Sequence, residues 1–182
     1  PLLGLVWLAV RLDDAGPALH RSPRLGQGGA PFACFKFRTM HHDAEARLTE
    51  LLDRRPDLRS EYELWHKLRD DPRITRLGRL LRRTSLDELP QLLNVLRGDM
   101  SLVGPRPYLV RERDAMGHAA NIIFQAKPGI TGYWQVAARN DVSFDERLSM
   151  EAHYVRNWSI WWDVILLGDT PIALLRRDGT AH

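Results

Sequence analysis

Thr84-Ser85-Leu86-Asp87-Glu88-Leu89-Pro90-Gln91, running on to Gly104-Pro105-Arg106-Pro107, is the stretch on which the reading of this chain turns. Two neighbouring carboxylates follow a Thr-Ser pair, with Arg82 and Arg83 before them and an apolar run behind. Ser85-x-x-Glu88 has the spacing of a capping box, which predicts Asp87 and Glu88 in the first turn of a helix. Unsatisfied N–H groups and the positive end of the helix dipole keep carboxylates ionised there and attract phosphate. Neighbours on a helix point about 100° apart. One carboxylate could then face a phosphorus atom while the other holds a metal. Taken alone, the eight residues are explained as readily by ordinary helix capping. Leu89, Leu92, Leu93 and Leu96 are expected to bury one side of that helix. Pro90 is expected to bend it, and Gly98-Asp99 to end it.

Working outward, 182 residues suffice for one domain with a real core. The 44% hydrophobic and 27% charged content excludes a disordered chain. A net charge of +3 argues weakly for any partner, but arginine is concentrated locally. The single cysteine, Cys34, excludes an internal disulfide and reads as a small buried apolar residue. The start at Pro1 suggests the C-terminal part of something longer.

The first ten residues are apolar on all sides, half of what a bilayer-spanning helix needs. They fit a buried core helix or the second half of a helix that enters a membrane and returns. Gly26-Gln27-Gly28-Gly29 reads as the turn of a hairpin and not as a dinucleotide fingerprint. In Phe32–Met40, Phe35 and Phe37 share one strand face and Lys36 and Arg38 the other. His41-His42-Asp43 reads as a solvated helix start. Helices are expected over 43–54 and 57–69, with Asp70-Asp71 as a turn and cap. A helix over 74–83 carries an apolar stripe of Ile74, Leu77, Leu80 and Leu81, flanked by Arg76, Arg79 and Arg83. It suits an anionic membrane surface, or a soluble helix with a basic face.

Further on, 128–136 predicts a tight turn and a short strand, and 144–154 a helix. The tryptophan-rich 157–163 fits a membrane interface or a core. The apolar run 164–175 is interrupted by Gly168, Asp169 and Pro171, so it fits an interfacial helix better than a spanning one. Arginines dispersed over helices, with no reading motif, argue against nucleic acid as a partner.

The run from Thr84 to Pro107, together with Lys36-Phe37-Arg38-Thr39-Met40 and Lys127-Pro128-Gly129-Ile130-Thr131-Gly132, resembles the bacterial sugar transferases. These are monotopic polyprenyl-phosphate phosphoglycosyl transferases. The likeness runs from Pro1 to about Arg177 and is greatest to the galactose and glucose phosphotransferases. It implies an α+β fold, mostly helical, with re-entrant and interfacial membrane helices around a small catalytic domain and a short β element near 18–37 and 130–137. Residues 1–12 would be the second half of a re-entrant helix, and 13–182 the catalytic domain.

The resemblance also implies a chemistry. Asp87 would attack the phosphorus next to the sugar of a UDP-sugar, and polyprenyl phosphate would then take the phosphosugar. Glu88 would ligate Mg²⁺. Lys36, Arg38, Arg82, Arg106, Pro107, Arg139 and Glu151 would hold phosphates or nucleotide. Glu151 stands where the family commonly has Asp, and Ala137-Ala138 where it usually has a Gly-containing pair before Arg139-Asn140. The implied setting is the cytoplasmic face of a bacterial inner membrane, with a homo-oligomer left open. The competing reading is a non-catalytic membrane-surface module in which Asp87 and Glu88 only cap a helix.

Overall fold

The computed structural model describes residues 1–65, 68, 71–138 and 142–175, with the side chains at 60, 61 and 63–65 outside that description. The chain divides into two compact units. The first takes Pro1–His20 and Phe37–Asp87, the second Arg21–Lys36 and Glu88–Arg177.

The first unit is helical. Helix α1 (Leu2–Asp13) buries only Val6 and Val10. Its other apolar side chains, Leu5 and Leu12 above all, face outward. Helices α2 (Ala44–Arg54) and α3 (Pro56–Trp65) are as the spacing predicts, with Leu48 the buried residue of α2. Residues 66, 67 and 69, where the second of these was expected to end, lie outside the described residues. Helix α4 (Arg76–Arg83) starts at Thr75, whose hydroxyl accepts from the Gly78 N–H. Of its expected apolar stripe, Leu81 is buried and Leu80 is 54% exposed. Gly78 lets α4 lie directly on the backbone, because a Cβ there would collide with the Thr39 carbonyl. That same carbonyl accepts from the Thr75 N–H at 3.0 Å. Asp71 forms a buried ion pair with Arg73 at 2.6 Å, so it does structural work.

The hairpin predicted from the glycine cluster is present, as β1 (Leu19–Leu25) paired with β2 (Pro31–Phe37). Phe35 and Phe37 are buried, as the alternation requires, and Cys34 is fully buried. In the second unit, α5 (Gln91–Arg97) ends at Gly98 in the left-handed conformation. Strand β3 (Ser101–Val103) follows, then α6 (Ala120–Ile123) and β4 (Gly129–Thr131). Strands β3 and β4 pair in parallel, Ser101 with Gly129 and Val103 with Thr131. Then come α7 (Tyr133–Ala137), α8 (Phe144–Arg156) and α9 (Ile160–Leu175).

Two expectations are corrected in this unit. Residues 133–137 are helix and not strand. The strand stops at Thr131, opposite the end of β3 at Val103, and the turn at Gly132 swings Trp134 into a buried position. Helix α5 is inside out relative to its leucines. Gln91 and Asn94 are buried, whereas Leu92, Leu93 and Leu96 are exposed, Leu96 by 84%. The cause is polar. Asn94 Oδ1 accepts the Phe35 N–H at 2.9 Å and its Nδ2 donates to the Ala33 carbonyl at 2.8 Å, so it pairs strand backbone that burial would orphan. Helix α9 runs through Gly168, Asp169 and Pro171 without a break.

The core of this unit joins Leu25, Tyr108, Met116, Ile123, Leu148 and Ala152. A smaller cluster holds Val103, Tyr154 and Leu166, with Tyr133 and Trp162 against it. Asp163 ties the turn before α9, accepting from the Tyr154 hydroxyl at 2.6 Å and the Trp158 indole at 3.0 Å. Trp161, Val164 and Ile165 point outward. No helix among the described residues is long and apolar enough to cross a membrane.

Candidate active site

Asp87 and Glu88 do not stand in the first turn of a helix. They lie in a 3-10 turn, Leu86–Glu88, and α5 begins only at Gln91 with Pro90 as its N-cap. The Ser85 backbone has φ 55°, a left-handed conformation that no helix start provides. Pro90 therefore precedes the helix instead of bending it. The pair thus lies before α5 and does not form its N-cap.

Asp87 belongs to the first unit, where it is 8% exposed. Within that unit Arg82 is in electrostatic reach of Asp87. Burial lowers the Arg82 guanidinium pKa, while the Asp87 charge acts to raise it again. The Arg82 Nε donates to Thr39 Oγ1 at 2.8 Å, which fixes its direction. Arg38 is engaged elsewhere in the same unit. It donates to the Ala15 and Asp14 carbonyls at 2.8 and 2.6 Å and lies 3.3 Å from the Asp14 carboxylate. His41 and His42 also face Asp14, at 3.7 and 3.6 Å.

Glu88 belongs to the second unit and is more open, its side chain 31% exposed. Lys36 Nζ meets Glu88 Oε1 at 2.6 Å across 52 residues of sequence. The residue that sequence reasoning missed is Arg24. It is held by Ser22 Oγ and the Pro107 carbonyl, both at 3.1 Å. Burial lowers its pKa, and so does the charge of Arg106, while Cys34, Glu112 and Glu88 act to raise it. Lys36 and Arg24 thus give Glu88 a basic surround. The sequence signal for Arg24 was faint: an arginine in a short strand beside a proline.

Arg106 is positioned from its backbone. Its N–H donates to Glu151 Oε1 at 2.7 Å, and its guanidinium lies 6.0 Å from the Trp134 ring centre. Arg147 stacks on the same ring at 4.3 Å. Gly104 makes the approach to this loop possible, because a Cβ there would strike the Lys127 carbonyl. Glu151 is 1% exposed. Burial pushes its carboxyl up to about 7, against the lowering influence of Tyr108, the Arg106 N–H and the charges of Arg106 and Arg147. The Tyr108 hydroxyl and Glu151 Oε2 are both buried without a well-formed hydrogen bond among the described residues. Burial and the Glu151 charge raise the Tyr108 pKa, so the phenol stays neutral. Arg139 lies outside the described residues.

No group of three or more His, Cys, Asp or Glu gathers into a metal cage among the described residues. A Mg²⁺ that arrives with a diphosphate needs none, since one or two carboxylates suffice and phosphate oxygens and water complete its shell. Glu88, a partly open carboxylate among cations that suit a diphosphate, fits that donor set.

The family profile described as bacterial sugar transferase matches residues 1–177. The chain is 48% identical over 98% of its length to an undecaprenyl-phosphate galactose phosphotransferase of Salmonella typhimurium, of which it covers 37%. It is 43% identical over 97% of its length to the exopolysaccharide production protein ExoY of Sinorhizobium fredii, covering 79% of that protein. A UDP-glucose:undecaprenyl-phosphate glucose-1-phosphate transferase of Caulobacter vibrioides is 42% identical over 98% of the chain and is covered to 64%. The chain thus spans a little over a third of the Salmonella relative. With a match over nearly all its residues and the Asp87-Glu88 signature in place, the chain belongs to the bacterial sugar transferase family.

Proposed function

We propose that this chain is the catalytic part of a phosphoglycosyl transferase. It moves a sugar 1-phosphate from a UDP-sugar to undecaprenyl phosphate, the first step in assembling an exopolysaccharide, capsule or O-antigen. The observation that carries the reading is that each of two adjacent carboxylates has its own cationic neighbour, Arg82 for Asp87 and Lys36 for Glu88. The names of the relatives support the acceptor and the class of donor.

In this reading a carboxylate oxygen of Asp87 attacks the phosphorus bearing the sugar. The bond from that phosphorus to the bridging oxygen breaks, and UMP leaves with the electron pair. The product is an aspartyl-phosphosugar. A phosphate oxygen of the polyprenyl phosphate then attacks the same phosphorus, the Asp87 oxygen leaves, and the carboxylate is restored. Two displacements let the water-soluble donor and the lipid acceptor use one nucleophile in turn. Mg²⁺ held by Glu88, when bound, would neutralise charge on the diphosphate oxygens.

Lys36 orients Glu88 and, with Arg106, faces donor phosphate. Arg38 and Arg139 are assigned to phosphate or nucleotide by family likeness, and Pro107 by the rigidity it lends Arg106. Glu151 holds the Arg106 backbone instead of touching substrate. Residues 1–12 would enter one leaflet as half of a re-entrant helix, with 13–182 forming the catalytic domain on the cytoplasmic face. The outward leucines of α5 and the apolar side of α9 support membrane contact.

The deciding experiment incubates the protein with UDP-sugar labelled in the sugar, without acceptor. Label retained on the wild-type protein, with an equal amount of UMP released, and none on Asp87→Asn, supports the covalent step. UMP appearing only when polyprenyl phosphate is added would replace it with direct transfer.

A further inference from the structure

The first unit contains a cleft of about 530 Å³ that the proposed chemistry does not use. It opens where α1 ends, at Asp13, and against the start of α4, and His41, Thr75, Arg76 and Arg79 line it. Its arginines differ from six others of the unit. Arg38, Arg47, Arg54, Arg55, Arg59 and Arg73 all have acidic partners. Among the described residues Arg76 and Arg79 form no ion pair, and Arg79 makes only a long 3.3 Å bond to the Ile74 carbonyl. Asp13 offsets one of these charges, so the cleft stays positive.

Its surroundings are apolar. Leu12, next to Asp13 on α1, is 78% exposed, and Leu80, next to Arg79 on α4, is 54% exposed. The cleft lies at the polar end of α1, which comes to headgroup depth on the proposed reading of residues 1–12 as half of a re-entrant helix. A positive cleft flanked by bare leucines is complementary to an anion that carries acyl chains, which a free phosphate does not.

We propose that this cleft binds the headgroup of an acidic phospholipid through Arg76 and Arg79, as a membrane anchor separate from the acceptor substrate. A basic side chain at an anionic surface contributes about fivefold to partitioning, so loss of both should cost roughly 25-fold.

The test is flotation of the detergent-purified chain with phosphatidylcholine vesicles, with and without about a third phosphatidylglycerol as in strongly anionic surfaces, and with no polyprenyl phosphate present. Wild type should prefer the acidic vesicles. Arg76→Gln/Arg79→Gln should lose that preference and bind neutral vesicles as before. Arg47→Gln/Arg54→Gln, with the same loss of charge in the same unit, should keep most of it. If the double variant does not fold by circular dichroism, Arg76→Gln alone carries the test with a fivefold loss. The idea is overturned if wild type shows no preference, or if the cleft variant loses no more than the control. It is also overturned if inorganic phosphate at constant ionic strength abolishes the preference, which would make the cleft a free-phosphate site.

Discussion

Glu151→Gln should stabilise the protein, and only at neutral and alkaline pH. The wild-type carboxyl is buried at 1% exposure, and its pKa rises from 4.5 to about 7. That displacement corresponds to about 3 kcal/mol. A raised acid pKa means that the folded protein holds the proton more tightly than the unfolded chain. The resulting stability is complete below pH 4.5 and is lost as the pH rises through 7. Glutamine stays neutral throughout, and its carbonyl can still accept the Arg106 N–H that Glu151 Oε1 accepts at 2.7 Å. Urea unfolding followed by tryptophan fluorescence should therefore give equal stabilities near pH 4. The variant should gain through the window from 4.5 to 7 and lead by about 3 kcal/mol at pH 8. A difference that does not change with pH, or a variant less stable at pH 8, would refute the reasoning. Activity supplies a second readout. Gln keeps the acceptor for Arg106 and should retain turnover, whereas Glu151→Ala removes it and should lower kcat/KM.

Asp87→Asn should cut UMP release about a thousandfold or more, because a carboxamide cannot attack phosphorus as a carboxylate does; this is read by single-turnover assay. Chelation with EDTA should stop UMP release and Mg²⁺ should restore it, with Glu88→Gln raising the Mg²⁺ needed for half-maximal rate about tenfold or more. Asn94→Leu should destabilise by about 3 kcal/mol in the same urea assay, because the Phe35 N–H and the Ala33 carbonyl lose their partners. Gly78→Ala should fail to accumulate as folded protein, measured by yield and circular dichroism, since its Cβ would have to displace the Thr39 backbone.

The hairpin and helices α2 and α8 were legible because local signals agreed there. Alternation, glycine turns and helical spacing all pointed one way. A true capping box does exist, at Ser143 and Glu146, where the serine hydroxyl accepts the Glu146 N–H and the glutamate accepts the Ser143 N–H. At Ser85 the same spacing misled, because the strained Ser85 backbone and Pro90 delay the helix to Gln91. Proline favours the edge of a helix over its interior, so Pro90 was the signal to weigh. The ion pair of Lys36 with Glu88 had no local signature, since its partners lie 52 residues apart.

The reading of α5 failed for a different reason, one that bears on function. Binary patterning assumes that leucine goes inside because water is outside. Asn94 reverses this by answering a demand that hydrophobicity does not register, the pairing of buried β2 backbone. Once Asn94 and Gln91 face inward, Leu92, Leu93 and Leu96 must face out. Exposed leucines on a helix that follows the Asp87-Glu88 turn would be a liability against water. Against lipid they are favourable, and they would hold that turn at the depth where a polyprenyl phosphate presents its charged end. On the proposed function, the helix that contradicts the pattern for a soluble core is the one that best fits an acceptor arriving from the membrane.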